Sequence, residues 1–537
     1  FHKFPRLSRI STLFLILLVV FPTVFLDGCA FSRHAPDQSA RISSGYEPEQ
    51  TDSVSSESTD NDNQRADSSS ANAFDEFLLQ LFRSEITQNT INLHFSLSSP
   101  ASYGITDIPI SLGGISGQAA EQNRAALENT VAALKRFDPK KLSKTQKLTY
   151  DILSDYLSME QKGTDFSLYN EYLNPSSGIQ AQLPVLYEEY RFYNEDDIKT
   201  YLKLLPLTGS YFEQIIDFEK EKSSAGLFMS DAVCKEVIEQ CSRFADDGDD
   251  HYLILTFNKK VDDFKDLSDE QKTAYKKQNE KIVKEMIFPA YTSLASSLGS
   301  LLGSGKNEKG LCYLKRGRDY YKYLVYENTG CADSIADIET MIGQKRLSDL
   351  SEAAALTASN PDLWTDAQKL SLSSADPTSV LELLKERMQS DFPKAPDVSY
   401  SVSYIEECME DYLAPAYYIT APIDDYNANS IYINAKTDAT TMRYFTTLAH
   451  EGFPGHLYQT IMSYQSGLPA IRSILNYPGY VEGWATYVEM MSYHYTGLPD
   501  AAATLLALNQ SALLSLYAST DIGIHYDGWS LADTIKF

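Results

Sequence analysis

The 537-residue sequence predicts a mainly α fold, a large helical body enclosing a cleft with one small β-sheet. Three observations predict it. Apolar residues recur at helical spacing over long stretches. Strand-forming runs are short and few. An apolar fraction of 43%, with 36 tyrosines, supplies side chains for a large core.

Residues 2–9 carry His2, Lys3, Arg6 and Arg9, and an apolar run follows from Leu13 to Phe25. This is the pattern of an export signal, shorter than the roughly 20 residues that span a bilayer. Leu26-Asp27-Gly28-Cys29 resembles a bacterial lipobox, although Asp27 stands where a small uncharged residue is usual. Residues 1–29 are therefore expected to be a lipoprotein signal peptide. Cys29 would be lipidated, anchoring the body to the outer side of the bacterial cell membrane. Residues 30–73 are rich in Ser, Asp, Glu, Gln and Asn. They nearly lack large apolar side chains, so a disordered tether is expected. Residues 74–537 form the helical domain. The chain opens on Phe1 and closes inside what reads as the start of a helix, so it is expected to be incomplete at both ends.

Within the domain, helical periodicity covers 73–88, 119–137, 144–161, 196–221, 230–246 and 260–302. It resumes over 334–355, 379–390, 402–412, 437–463, 479–495 and 501–520. The strand signals are Tyr417-Tyr418-Ile419-Thr420 and Ser430-Ile431-Tyr432-Ile433-Asn434, with a loop composition between them. The small sheet is thus expected just before the helix that carries His450.

The net charge of −27 argues against nucleic-acid binding, which needs clustered Lys and Arg. Of the six cysteines no pair has Cys-x-x-Cys spacing, and buried free thiols are expected, with room for one disulfide.

The chemistry concentrates in Leu448-Ala449-His450-Glu451-Gly452-Phe453-Pro454-Gly455-His456. A catalytic zinc needs three protein ligands and one open position. Two histidines four apart meet a metal from one helix face. Here they are six apart, a turn of roughly 600° on a regular helix, which points the rings apart. Pro454 removes a helix N–H and Gly455 tolerates distorted backbone. A broken or bulged helix at these two residues would return His456 to the metal.

Downstream, Tyr480-Val481-Glu482-Gly483-Trp484-Ala485-Thr486-Tyr487-Val488-Glu489 reads as a second helix. Glu482 and Glu489, seven apart, share a face. That suits a ligand carboxylate with an outer carboxylate that orients a metal-binding imidazole. A third segment, Asp521-Ile522-Gly523-Ile524-His525-Tyr526-Asp527-Gly528-Trp529-Ser530, places His525 in an expected Gly- and aromatic-rich turn. A His there could face an oxyanion or serve only the turn; Asp521 is a further candidate outer carboxylate.

These three segments, in this order, resemble the bacterial domain-of-unknown-function family 885. That family is similar to helical zinc peptidases such as thimet oligopeptidase, carboxypeptidase Taq and angiotensin-converting enzyme. The resemblance covers roughly residues 75–537. It implies a zincin-like helical body with the small sheet beside the metal site. It implies His450, His456 and Glu482 as zinc ligands, Glu451 as general base and His525 as an oxyanion or substrate contact. Two departures stand out. Leu457 occupies a position where the family has a second His, and Ser515-Leu516-Tyr517-Ala518-Ser519 lacks the family's arginines.

The expected function is zinc-dependent peptide hydrolysis of oligopeptidase or carboxypeptidase type. The strand at 430–434 would pair with an extended peptide, with Tyr432 and Asn434 in contact. The alternative is a catalytically inactive peptide-binding lipoprotein with the same fold.

Overall fold

Side chains that satisfy free helix N–H groups fix where many helices begin. Ser143 with Gln146, Asn194 with Asp197 and Ser268 with Gln271 form capping boxes that open the Lys144–Gly163, Glu195–Leu204 and Asp269–Ile282 helices. The computed structural model describes residues 68–537 apart from 107–109, 116, 246–247, 249–250, 369–375, 406–409, 411–414 and 440. The expected signal peptide, Cys29, Cys408 and most of the expected tether lie outside the described residues. The first described helix, Ser68–Ile86, takes in the last residues of that tether.

The fold is mainly helical with one small sheet, as the periodicity predicted. Prolines account for two interruptions. The 196–221 stretch is split by a tight turn at Leu205–Leu207, which contains Pro206. Over 260–302, a helix ends at Asp263 and a second runs Asp269–Ile282. A wide turn at Val283–Ile287 then leads into Phe288–Gly299. Pro289 has no N–H for the ordinary ladder, and Phe288 N–H bonds back to Val283 O across the wide turn.

The sheet corrects one expectation. Residues 402–412 were expected to be helical, but Tyr400–Tyr404 is strand β1. Its alternating Tyr-Ser-Val-Ser-Tyr is a period of two. β2 is Ala416–Ile419 and β3 is Asn429–Ile433. The order is β1-β3-β2, with β1 parallel and β2 antiparallel to β3. On one face, Tyr418, Ile431 and Ile433 join Phe445 and Leu448 of the Met442–Glu451 helix in an apolar cluster. On the other, Tyr417 and Tyr432 stack at 5.0 Å beside Ile405 and Ile419.

A larger core, built around Phe212, Phe257 and Tyr291, fills the helices between residues 91 and 298. Cys234 and Cys241 are buried free thiols there, and Cys312 and Cys331 are also free.

Two buried histidines tie this half of the molecule to pH. His94 stacks on Tyr190 at 3.6 Å and its Nε2 accepts the Arg191 N–H. Burial, with Arg191 and Lys260 nearby, lowers its pKa to about 3. Burial likewise lowers His251 to about 4. Both rings are neutral in the folded chain and protonate near 6.5 when unfolded. Their stabilisation is complete above the unfolded pKa and declines as pH falls towards the folded values. Urea unfolding at about pH 7 and about pH 5.5 should show a loss of about 1 kcal/mol per ring. His94→Gln should lose less over the same interval; an identical pH response would count against this account.

Candidate metal centre

The Met442–Glu451 helix starts at Thr441, whose hydroxyl accepts the Tyr444 N–H. Tyr444, Phe445, Leu448 and Ala449 are buried, which leaves His450 and Glu451 in the last turn beside the sheet. The helix then stops. Gly452 N–H still bonds to Leu448 O, but its φ/ψ of −106° and −97° are not helical. The Phe453–Pro454 peptide is cis, and a new helix runs His456–Tyr464. Tyr458 N–H reaches back to Gly452 O at 3.2 Å and closes the interruption. The chain is broken rather than bulged, and the two imidazole centroids lie 4.8 Å apart.

Gly455 makes this approach possible. A Cβ on it would lie 1.8 Å from His450 O. Phe453, 1% exposed, anchors the interruption in the same apolar cluster as Phe445. Leu457 belongs to that cluster too, so it faces the core.

The third partner comes from the Pro478–Ser492 helix. Glu482 Oε2 lies 3.6 Å from His450 Nε2 and 3.7 Å from His456 Nε2. Ligand atoms of His450, His456 and Glu482 all fall within 4.8 Å of one another. Glu489, one face-repeat along, lies 3.1 Å from His450 Nδ1. Trp484 Nε1–H donates to Pro454 O at 2.9 Å, tying the Glu482 helix to the interruption. Glu451 is 4% exposed and its Oε2 accepts the Tyr418 N–H at 3.1 Å.

The electrostatics follow from burial and neighbours. Burial works against charge on His450, but the carboxylates of Glu482 and Glu489 outweigh it and raise its pKa to about 10. Burial lowers His456. Burial opposes the Glu482 charge, yet the two imidazoles hold its pKa at about 2. Burial raises Glu451 to about 8. His456 Nε2 is buried without a hydrogen-bond partner. The 3.6 and 3.7 Å separations exceed hydrogen-bond length. Three ligand atoms thus surround a common point without bonding one another, an arrangement that fits a cation.

Two further expected site residues, Asp521 and His525, come from the end of the Asp500–Ile522 helix and its continuation. His525 lies in a turn, as expected, and this is a wide helical one, Gly523–Asp527, that continues the Asp500–Ile522 helix. Its Nδ1 accepts Leu311 N–H at 3.3 Å, its ring parallels that of Tyr321, and its Nε2 lies 3.9 Å from Asp521. Asp521 accepts the Tyr321 hydroxyl at 2.6 Å. Neither residue joins the group of His450, His456 and Glu482. Arg346, from the neighbouring Ile335–Ser359 helix, reaches Ser515 O and the Ser519 hydroxyl, the stretch without arginines of its own.

The strand expectation is corrected as well. β3 is the central strand, paired on both sides, so it has no free edge for a peptide. Tyr432 lies on the face away from the Met442–Glu451 helix and gives its hydroxyl to Glu189 Oε2 at 2.6 Å. Asn434 is 5% exposed and bonds the backbone at Glu410 and Lys436. Sequence reasoning missed the Tyr418 N–H as the anchor of Glu451 and the Trp484 bond to Pro454. The Trp signal was legible beside Glu482; the backbone N–H carried none.

The sequence profile described as "Bacterial protein of unknown function (DUF885)" matches residues 102–537. The chain belongs to the DUF885 family. A solved structure described as "the putative lipoprotein from Colwellia psychrerythraea" is similar over 87% of this chain and 85% of that chain. The TM-score is 0.76 at 17% identity, a likeness of fold. No curated protein matches the chain by sequence.

The closed approach at Gly455 is testable. Gly455→Ala should push His456 away from His450 and weaken zinc binding by at least about tenfold, with a stability loss of about 1–3 kcal/mol. Calorimetric zinc titration beside thermal unfolding checks it. Unchanged affinity would show that the close approach does not set the site.

Proposed function

We propose that this protein is a metal-dependent peptidase acting outside the cytoplasmic membrane. The observation that carries the reading is the convergence of His450, His456 and Glu482 beside the buried carboxylate of Glu451. Two imidazoles and a carboxylate are a donor set of catalytic zinc sites that keep one position open. When bound there, zinc supplies Lewis acidity towards a scissile carbonyl and towards water at neutral pH. The resemblance of the His450, Glu482 and His525 segments to those of helical zinc peptidases supports the same reading.

The chain's own residues have separable roles. Glu489 takes the Nδ1 side of His450, which would leave Nε2 free to hold an ion. Tyr418 N–H holds Glu451 Oε2, leaving Oε1 to accept a proton from water and pass it to the leaving amine. The substrate edge moves from β3 to β2. Asn434 N–H bonds to Pro415 O, while Tyr418 N–H points away from β3 to Glu451. By antiparallel alternation, the backbone groups of Ala416 and Tyr418 face the outer edge of β2. An extended peptide laid along that edge passes Glu451.

A second reading, an inactive peptide-binding protein, is favoured by one observation: His525 Nδ1 is taken by the Leu311 N–H. Zinc stoichiometry measured beside turnover of a peptide library separates the two. Glu451→Gln should retain zinc and lose about 10² to 10⁴ in rate. Glu482→Gln should lose the metal. A wild-type protein without zinc overturns the metal reading, and zinc without hydrolysis favours the inactive protein.

The membrane tether is proposed from Leu26-Asp27-Gly28-Cys29, and the description of the Colwellia protein as a lipoprotein agrees with it. Fatty-acid labelling in cells should mark the wild-type chain and not Cys29→Ala. Equal labelling would refute the anchor.

A further inference from the structure

The sheet face turned away from the Met442–Glu451 helix borders a second concave feature. The Ile179–Glu188 and Tyr252–Asp263 helices contribute Glu188, Tyr252 and Lys259 opposite Tyr417 and Tyr432. Between them is a cavity of roughly 180 Å³. None of His450, Glu451, His456 or Glu482 lines it. Sites for drug-sized ligands run about 300–1,000 Å³, so this one suits a single small head group.

Its wall holds a carboxylate oxygen with no donor. Glu189 is 7% exposed; Oε2 accepts the Tyr432 hydroxyl, and Oε1 is buried without a hydrogen-bond partner. The Glu188 carboxyl lies close enough to oppose charge on it. Both residues sit at the C-terminal end of the Ile179–Glu188 helix, where the helix carbonyls already disfavour negative charge. Three cations lie nearby, and Lys260 offsets part of the charge on Glu189. Lys260 Nζ donates to Tyr190 O, Arg191 Nη2 donates to the Ser430 hydroxyl, and Lys259 is exposed. Burial, reinforced by Glu188, pushes the Glu189 carboxyl well above the usual carboxylate range.

We propose that this cavity binds a small organic cation, an alkylammonium or guanidinium group. Glu189 Oε1 and Glu188 act as acceptors, and Tyr417 and Tyr432 form an aromatic wall. The cation arrives as a free amine or as a Lys or Arg side chain of a peptide. The site does not depend on the metal reading.

Isothermal titration with agmatine and n-butylamine tests this, with n-butanol as the neutral control. Both cations should bind and butanol should not, with the same result in the presence of a chelator. Glu189→Gln and the half-buried Glu188→Gln should each weaken binding by about tenfold or more. Circular dichroism checks that each variant is folded. A short Arg-containing peptide that binds more tightly than agmatine identifies a peptide side chain as the source; equal affinity identifies a free amine. The proposal is overturned if neither cation binds, if butanol binds equally, or if a chelator abolishes binding. It is also overturned if both Gln variants bind as the wild type does, which would make Glu188 and Glu189 a proton-sharing pair.

Discussion

The interruption between His450 and His456 is the constraint on which the site depends. Six residues of regular helix would carry the second imidazole to another face. The chain instead leaves helical geometry at Gly452 and re-enters it at His456. Burial of Phe453 holds the interruption down, and a fully buried aromatic ring contributes about 1.5–3 kcal/mol. The polar groups released by the break find partners. Gly452 O takes Tyr458 N–H, and Pro454 O takes the Trp484 indole. Without those bonds, buried backbone carbonyls would oppose the turn. The same turn therefore places His456 and docks the helix that carries Glu482.

Charge is organised around the same point. His450, His456, Glu451, Glu482 and Glu489 put three carboxyl groups and two imidazoles into a largely buried space. Burial alone would neutralise such groups. Glu482 stays ionised because both imidazoles face it, whereas burial raises the Glu451 carboxyl to about 8 against the opposing pull of His450 and the Tyr418 N–H. The seven-residue spacing of Glu482 and Glu489 lets one helix place a carboxylate beside each ring nitrogen of His450.

Much of this was legible in the sequence, for local reasons. Pro454 and Gly455 mark a broken helix, and the spacing of Glu482 and Glu489 marks a shared face. What was illegible depends on distant chain. β1 was read as helix because five residues are too few to separate the two periods when Val402 and Tyr404 are followed by Ile405. β3 was given a free edge because strand order is set by pairing, and β1 lies across the edge opposite β2. The partners of His525 were illegible as well, because they come from Leu311 and Tyr321, about two hundred residues earlier.

β2 links the two faces of the sheet. Alternation along a strand sends successive side chains to opposite sides. Tyr418 packs with the helix that carries His450, and its neighbour Tyr417 lines the acidic cavity. A slip of one residue would exchange them and remove the N–H that Glu451 accepts. Four paired positions are a weak guard against such a slip. Asn429 adds a side-chain lock. Its Oδ1 accepts the Tyr418 hydroxyl at 2.7 Å, and its Nδ2 donates to Ser399 O at 2.9 Å and Tyr426 O at 2.6 Å. Because Asn429 is buried, each of those bonds is costly to leave unmade, and only one register makes all three. The position of the Glu451 carboxylate is thus set through β2 by an asparagine at the start of β3, outside every segment that signalled chemistry in the sequence.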